Sequence, residues 1–295
     1  MIKKIKDTFK KIYWRTKFLM FESLNKDWKV VAYTIFPFAR KKNFRINLLI
    51  NKGIIKHKKN EDFIEYKDLR FYCGKHVPIA DFMGIFLSNN KYIYNNFINN
   101  SAFRLEGPYE EGGVKLKIGD IVIDAGSNLG FFAILAGEKI GTNGKVFAFE
   151  PVKKTSEILN KNISYNNLLN IKVIENALGD KESELNFAIN EDILGCSSNV
   201  LREGKNKIEK VKQITLDNFV EDNDLEKIDF IKADIEGMER NLIKGAEKTI
   251  KRFKPNLSIC IYHLPDDPEV IEKLILDYVP EYNIKKTKQK IFAWV

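Results

Sequence analysis

The sequence predicts an α/β protein: a mostly parallel sheet with helices on both faces and an antiparallel last strand, preceded by a smaller mixed α/β region. Three observations predict it. From Gly119 onward, short apolar runs suited to buried strands alternate with stretches of helical period. A glycine-bounded turn, Gly126–Gly130, joins the first of these strands to the first helix. The last two apolar runs, Ile284–Thr287 and Ile291–Val295, lie too close for a crossover helix, so they must form a hairpin with the last strand antiparallel to its neighbour.

Gly119-Asp120 leads into Ile121–Ala125, which reads as a buried strand. The tight loop Gly126–Gly130 follows, then a helical stretch from Leu129 to about Ile140. The turn Gly141–Gly144 opens strand Lys145–Glu150. Pro151 stands where a helix can start, because the first turn does not need its missing N–H. The next helix carries Ile158, Leu159 and Ile163 on one face, and strand Ile171–Leu178 comes after it. A less regular section, Gly179 to Glu226, holds an extra strand at Glu184–Ile189 and a polar loop at Gly195–Asn199 that borders a ligand cleft or is a surface connection. Strand Ile228–Asp234, helix Met238–Arg252, strand Leu257–His263 and helix Pro268–Tyr278 precede the closing hairpin. Right-handed crossovers would cover both sheet faces. A parallel sheet with one late antiparallel strand is the arrangement of Rossmann-like methyltransferases rather than of dinucleotide dehydrogenases.

The first 104 residues are less legible. Ile2, Ile5, Phe9, Ile12 and Leu19 fall on one helical face, and Lys3, Lys4, Lys6, Lys10, Lys11, Arg15 and Lys17 oppose only Asp7. This segment therefore holds most of the net charge of +9. Its apolar stripe can pack on the protein or on a second copy, or the helix can lie on an anionic membrane surface. Residues 21–104 form an accessory region of short apolar runs, such as Arg45–Ile50 and Asp62–Tyr66, with a helical candidate at Phe82–Phe97. Residues 105–295 form the main domain. Cys73, Cys196 and Cys260 are odd in number and far apart, which suits a reducing cytosol and not a disulfide framework. No apolar run approaches the roughly 20 residues that span a bilayer. Lysines interrupt any signal-peptide core, so a cytoplasmic place is expected, at the inner membrane face if residues 1–20 bind lipid.

Open α/β sheets bind ligands at the carboxyl ends of their strands, which puts Asp124-Ala-Gly-Ser-Asn-Leu-Gly130 at the site. Gly126 and Gly130 allow a sharp turn and close approach. Asn128 replaces the middle glycine with which dehydrogenases carry a pyrophosphate, and Asp124 precedes the turn. That pattern suits a ligand without phosphate but with a charged amino-acid end, as in S-adenosylmethionine. Glu150, at the end of the next strand, can accept both ribose hydroxyls, or cap the helix that Pro151 begins. Asn176, beside Ala177, can hydrogen-bond an adenine, or serve as a turn residue.

Ile121-Val-Ile-Asp-Ala-Gly-Ser-Asn-Leu-Gly-Phe-Phe132, Phe149-Glu-Pro151, Ile214-Thr-Leu-Asp-Asn-Phe219, Ile228-Asp-Phe-Ile-Lys-Ala-Asp-Ile-Glu-Gly237, Lys244-Gly-Ala246 and Tyr262-His263 occur in that order. The set resembles the motifs of the FkbM family of S-adenosylmethionine-dependent methyltransferases, from about Leu105 to the C-terminus. Ser127 stands where the family more often has alanine, and Ala233 where a larger aliphatic residue or aspartate is common. The resemblance implies the class I methyltransferase fold and O-methylation of hydroxyls on sugars, glycans or polyketide-type products. It also implies that Tyr109, in Glu106-Gly-Pro-Tyr-Glu110, folds over the cofactor, although Gly107 and Pro108 equally suit a plain interdomain turn.

An alcohol acceptor must lose its proton to a base, or to a metal that acidifies it. Asp234 is the candidate for orienting the donor's amino group or the acceptor hydroxyl. Glu236 would contact the acceptor or a divalent ion, and one of these two acids could instead cap the helix near Met238. His263 is the candidate general base, or a structural histidine. Asp234 and Glu236 alone do not complete a hard-metal ligand set. A nucleic-acid methyltransferase is disfavoured because Ile235-Glu236-Gly237 replaces the proline and aromatic that follow the acid in base-modifying enzymes. A non-catalytic module tethered through residues 1–20 and an NAD-dependent oxidoreductase are the other classes considered.

Overall fold

A computed structural model describes residue 56, residues 63–72, residue 85, and residues 108–190, 197–198 and 206–295. The expected helix over residues 1–20, the run Arg45–Ile50, and most of Phe82–Phe97 and Gly195–Asn199 lie outside the described residues.

The described chain runs β1 (Phe63–Tyr66), β2 (Leu69–Tyr72), β3 (Ile121–Ala125), α1 (Phe131–Ile140), β4 (Lys145–Phe149), α2 (Lys153–Tyr165), β5 (Ile171–Ile174), β6 (Ala177–Leu178), β7 (Ser183–Asn190), β8 (Ser197–Ser198) and β9 (Asn206–Ile214). It continues through α3 (Leu216–Asp222), β10 (Phe230–Ala233), α4 (Glu239–Lys244), α5 (Glu247–Phe253), β11 (Asn256–Cys260), α6 (Asp267–Tyr278), β12 (Asn283–Lys286) and β13 (Lys290–Trp294). The central sheet has the order β12-β13-β11-β10-β3-β4-β5. Strands β5, β4, β3, β10 and β11 are mutually parallel, and β13 is antiparallel to both β11 and β12. The closing hairpin and its single reversed strand are as the sequence predicts.

Both sheet faces are covered. On one side α1 and α2 pack Phe132, Ile134 and Leu159 over Val122, Val146 and Phe230. On the other, Phe219, Ile250, Ile271 and Ile275 cover Ile123, Phe147, Ile231 and Leu257. Each such side chain contributes about 1.5–3 kcal/mol by leaving water. The β1–β2 hairpin is held by side chains that imitate a strand. Asn162 on α2 and Asn166 at its C-cap, one turn on, exchange paired hydrogen bonds with the backbone of Tyr72 and Arg70 at 2.6–3.0 Å. Asn162 also donates to the carbonyl of Leu129, linking the hairpin to the first loop.

Two expected elements are each broken in two, and one strand is additional. The strand Ile171–Leu178 breaks after Ile174, and Ala177–Leu178 joins a second sheet of order β6-β9-β7-β8. Strand β9 was not expected, because its inward positions include Gln213, whose polarity hides the alternation. Gln213 donates through Nε2 to the carbonyl of Lys181 at 2.8 Å, while its buried Oε1 has no hydrogen-bond partner among the described residues. The single helix Met238–Arg252 is two helices, broken at Gly245, where a Cβ would stand 1.9 Å from the carbonyl oxygen of Gly179. No helix among the described residues is long and apolar enough to cross a membrane.

Candidate functional site

A cavity opens at the carboxyl ends of β3, β4 and β10. Of the residues singled out in the sequence, Tyr109, Gly126, Asn128, Glu150, Asn176, Ala177, Asp234 and Glu236 line it, and Asp124, Gly130 and His263 do not.

The first loop is forced by close packing. Gly126 has φ of 77°, and a Cβ there would stand 2.0 Å from the carbonyl oxygen of Asp234. Glycine alone tolerates both conditions. Gly126 and Ser127 donate their N–H groups to the carbonyl of Phe149, tying the loop to the end of β4. Asn128 adopts φ of 50°, and its N–H donates to Oε2 of Glu150 at 3.0 Å. Its side-chain Oδ1 is buried with no hydrogen-bond partner among the described residues. An orphaned acceptor in a cavity wall fits a ligand that brings N–H or O–H donors.

Asp124 acts beneath the loop. It is fully buried and 2.9 Å from Nζ of Lys232, itself buried on β10. The ammonium also donates to the carbonyls of Gly126 at 2.7 Å and Ala125 at 3.2 Å. Burial alone would lower the pKa of Lys232, but the carboxylates of Asp124 and Asp234 outweigh it and hold the pKa above its ordinary value. Lys232 was missed from the sequence, although a lysine inside the apolar run Ile228–Ala233 signals a buried acid opposite.

Glu150 is also buried. Its Oε1 accepts from Val152 N and its Oε2 from Asn128 N, each at 3.0 Å. Burial pushes its pKa up to about 7, against the lowering effect of those bonds and of Lys232. Each carboxylate oxygen has a further lone pair free for a hydroxyl donor. Beside it, Ala177, Leu178, Leu185 and Phe187 make an apolar wall, with the amide of Asn176 at its edge and only 3.4 Å from the Lys212 carbonyl.

The opposite end is acidic. Asp234 accepts from the Tyr109 hydroxyl at 2.7 Å and from the Tyr262 hydroxyl at 3.0 Å. Burial would raise its pKa, but Lys232, Lys290, the Tyr109 bond and His263 together hold it below the usual carboxylate range. Glu236 and Gly237 take φ of 55° and 98°, turning the chain so that Glu236 also faces the cavity. The carboxylate that braces this turn is neither Asp234 nor Glu236 but Glu239, which accepts from Ile235 N at 2.8 Å and Gly237 N at 3.0 Å. Sequence reasoning missed Glu239, since a first-turn acid is common to many helices.

His263 lies beyond the end of β11, not within it. Its Nδ1 is 3.1 Å from Oε1 of Glu239, and its Nε2 is 3.7 Å from Glu236 and 3.8 Å from Asp234. Burial would lower the His263 pKa, but Glu239, Asp234 and Glu236 outweigh it and raise it. Asp234, Glu239 and His263 bring ligand-type atoms within 4.8 Å of one another. They do not fit a divalent ion. An imidazole gives a metal one nitrogen, yet Glu239 stands at Nδ1 and Asp234 at Nε2, so an ion on either nitrogen would have one of the two acids on the far side of the ring.

Residues 124–283 match the family described as the methyltransferase FkbM domain. The hexuronic acid methyltransferase AglP of Haloferax volcanii is 28% identical over 156 residues, covering 53% of this chain and 61% of that protein. Methyltransferase sdnD of Sordaria araneosa is 26% identical over 158 residues, 43% of this chain and 60% of that one. The chain thus spans about 60% of the length of the curated relatives it matches. A crystal structure of methyltransferase FkbM from Methylobacillus flagellatus aligns with a TM-score of 0.47 at 20% identity, over 62% of this chain and 46% of that one. The family match takes in more than half of the sequence, and the chain belongs to the FkbM methyltransferases.

Proposed function

We propose that this chain methylates a hydroxyl of a sugar or surface glycan, with S-adenosylmethionine as donor. One observation carries the reading: Asp234, Glu236 and Tyr262 end a cavity whose other walls are the Gly126–Asn128 turn and Glu150. Glu150 would accept the ribose hydroxyls, and Asn176 and Ala177 would border the base. Asn128 and Asp234 would meet the ammonium of the amino-acid end, with Tyr109 closing over it. Asp124 would act indirectly, through Lys232 and the loop carbonyls, and Gly130 through the shape of the turn. Residues 105–295 would hold donor and transfer groups together, with residues 21–104 as an accessory region.

Bound there, S-adenosylmethionine supplies a methyl group on a sulfonium that becomes neutral when the methyl leaves. The protein's work is alignment and proton removal. Asp234, held as an anion by two tyrosines and two nearby lysines, is a weak base and a fixed negative charge. Proton removal from the acceptor therefore falls to His263, with Glu236 beside it. The name of the haloarchaeal relative, a hexuronic acid methyltransferase, supports a sugar acceptor.

The test offers labelled donor to purified protein with nucleotide sugars and surface glycans, with and without chelator. Donor retention and label on a saccharide, unaffected by chelator, are expected. Folded protein that retains no donor, or labels only nucleic acid, would overturn the reading.

A further inference from the structure

We propose that Glu239 is a positioning residue for the transfer: it fixes the His263 imidazole with Nδ1 as the protonated nitrogen, so that Nε2 takes the acceptor's proton. The inference rests on the methyltransferase reading and deepens it. Three features carry it.

Glu239 is almost fully buried, and its side chain is immobilised from two directions. Oε1 accepts from Ile235 N and Oε2 from Gly237 N, so the turn that presents Glu236 and the histidine partner share one carboxylate. Oε1 stands 3.1 Å from Nδ1 at ion-pair distance without hydrogen-bond alignment, and a carboxylate so placed favours an N–H on that nitrogen. Nε2 is then left as the basic nitrogen. It is buried and has no hydrogen-bond partner among the described residues, 3.8 Å from Asp234 and 3.7 Å from Glu236, both of which line the cavity, so an acceptor hydroxyl must reach it between those two carboxylates.

The step balances within the groups named. The acceptor oxygen bonds to the methyl carbon, the carbon–sulfur bond electrons return to sulfur, and the hydroxyl proton passes to Nε2. The imidazolium so formed stands among Glu239, Asp234 and Glu236, with Lys232 and Lys290 beyond Asp234 and the Tyr262 ring 4.1 Å from its own. The same three carboxylates account for a basicity above that of an ordinary histidine. The rate should accordingly rise with pH through the His263 titration, and removing the Glu239 charge should move that midpoint downward.

The experiment is histidine imidazole 15N NMR on the whole protein, with the His263 signal assigned by its loss in His263→Gln. Kinetics of Glu239→Gln are measured alongside. In wild type, neutral His263 should carry its proton on Nδ1. In Glu239→Gln the titration midpoint should fall and the plateau kcat should drop about tenfold or more, with the donor KM little changed. A bracing role alone would lower stability yet leave midpoint and tautomer as they were, and that outcome overturns the proposal. Should Glu239→Gln not fold, the wild-type tautomer decides: a proton on Nε2 of neutral His263 overturns it equally. Wild type that retains donor but shows either result sinks only the positioning role, whereas wild type that retains no donor sinks the methyltransferase reading.

Discussion

Tyr109 donates its hydroxyl to Oδ2 of Asp234 at 2.7 Å, so a residue ahead of the first parallel strand is bonded to the acid after the fourth. The tyrosine ring is packed edge-on against Phe132, and Nζ of Lys290 sits 4.4 Å from its centre. Anchored in this way, the segment before β3 becomes part of the cavity wall. Tyr109→Phe keeps the ring and removes one bond to a buried anion. A hydrogen bond to a charged group is worth about 1.5–3 kcal/mol, so donor affinity measured calorimetrically should fall roughly tenfold. Unchanged affinity would show that this bond does not shape the site.

Lys232 offers a second, stability-based test. It is the cation facing Asp124, and both side chains are nearly inaccessible to water. Lys232→Met leaves an uncompensated buried carboxylate, which typically costs about 3–5 kcal/mol. Urea denaturation should register that loss, and adding Asp124→Asn to the same chain should recover a large part of it. Equal destabilisation in single and double variants would mean the ion pair is not what Lys232 provides.

The parallel sheet, the reversed last strand and the loop after β3 were legible because each is written in local pattern: apolar runs, glycine spacing and a hairpin too short for a crossover. The places of Glu150, Asn128 and Asp234 in the cavity wall were legible for the same reason, since each follows the end of a strand that local pattern marks. What failed was whatever depends on a distant partner. Asp124 stands where a ligand contact was expected, but the lysine that turns it inward comes from β10, far along the chain. Glu239 earned no notice because its partner His263 follows another strand. Gln213 concealed β9 because a buried polar residue is acceptable only once its bond to Lys181 is known. The break in the helix after Lys244 depends likewise on Gly179 lying against Gly245.

Gly126 bears on the loop without touching its chemistry. Its positive φ opposes any side chain, and so does the Asp234 carbonyl oxygen, 2.0 Å from where a Cβ would stand. Gly126→Ala must shift the loop or the β10 end, the two walls of the cavity. Donor binding should fall at least tenfold, a loss of about 1.4 kcal/mol or more, while the far edge of the sheet stays intact by hydrogen exchange. Normal donor binding in this variant would remove the loop from the site.

Glu150 makes the site sensitive to pH in a direction that can be worked out. Burial raises its pKa in the free protein to about 7 from an ordinary 4.5. Between those values the folded protein binds a proton that the unfolded chain has released, so this group's contribution to stability declines as pH rises from 4.5 to about 7. Ribose hydroxyls donate to the ionised carboxylate, so donor binding favours the deprotonated form and lowers the pKa. Affinity should therefore strengthen as pH rises through about 7. Near neutrality, binding should release a fraction of a proton, seen as a dependence of the calorimetric enthalpy on buffer ionisation. Glu150→Gln should weaken binding and abolish both the pH slope in this window and the proton release. A slope that survived the substitution would assign the titration to another group, with His263 the next to examine.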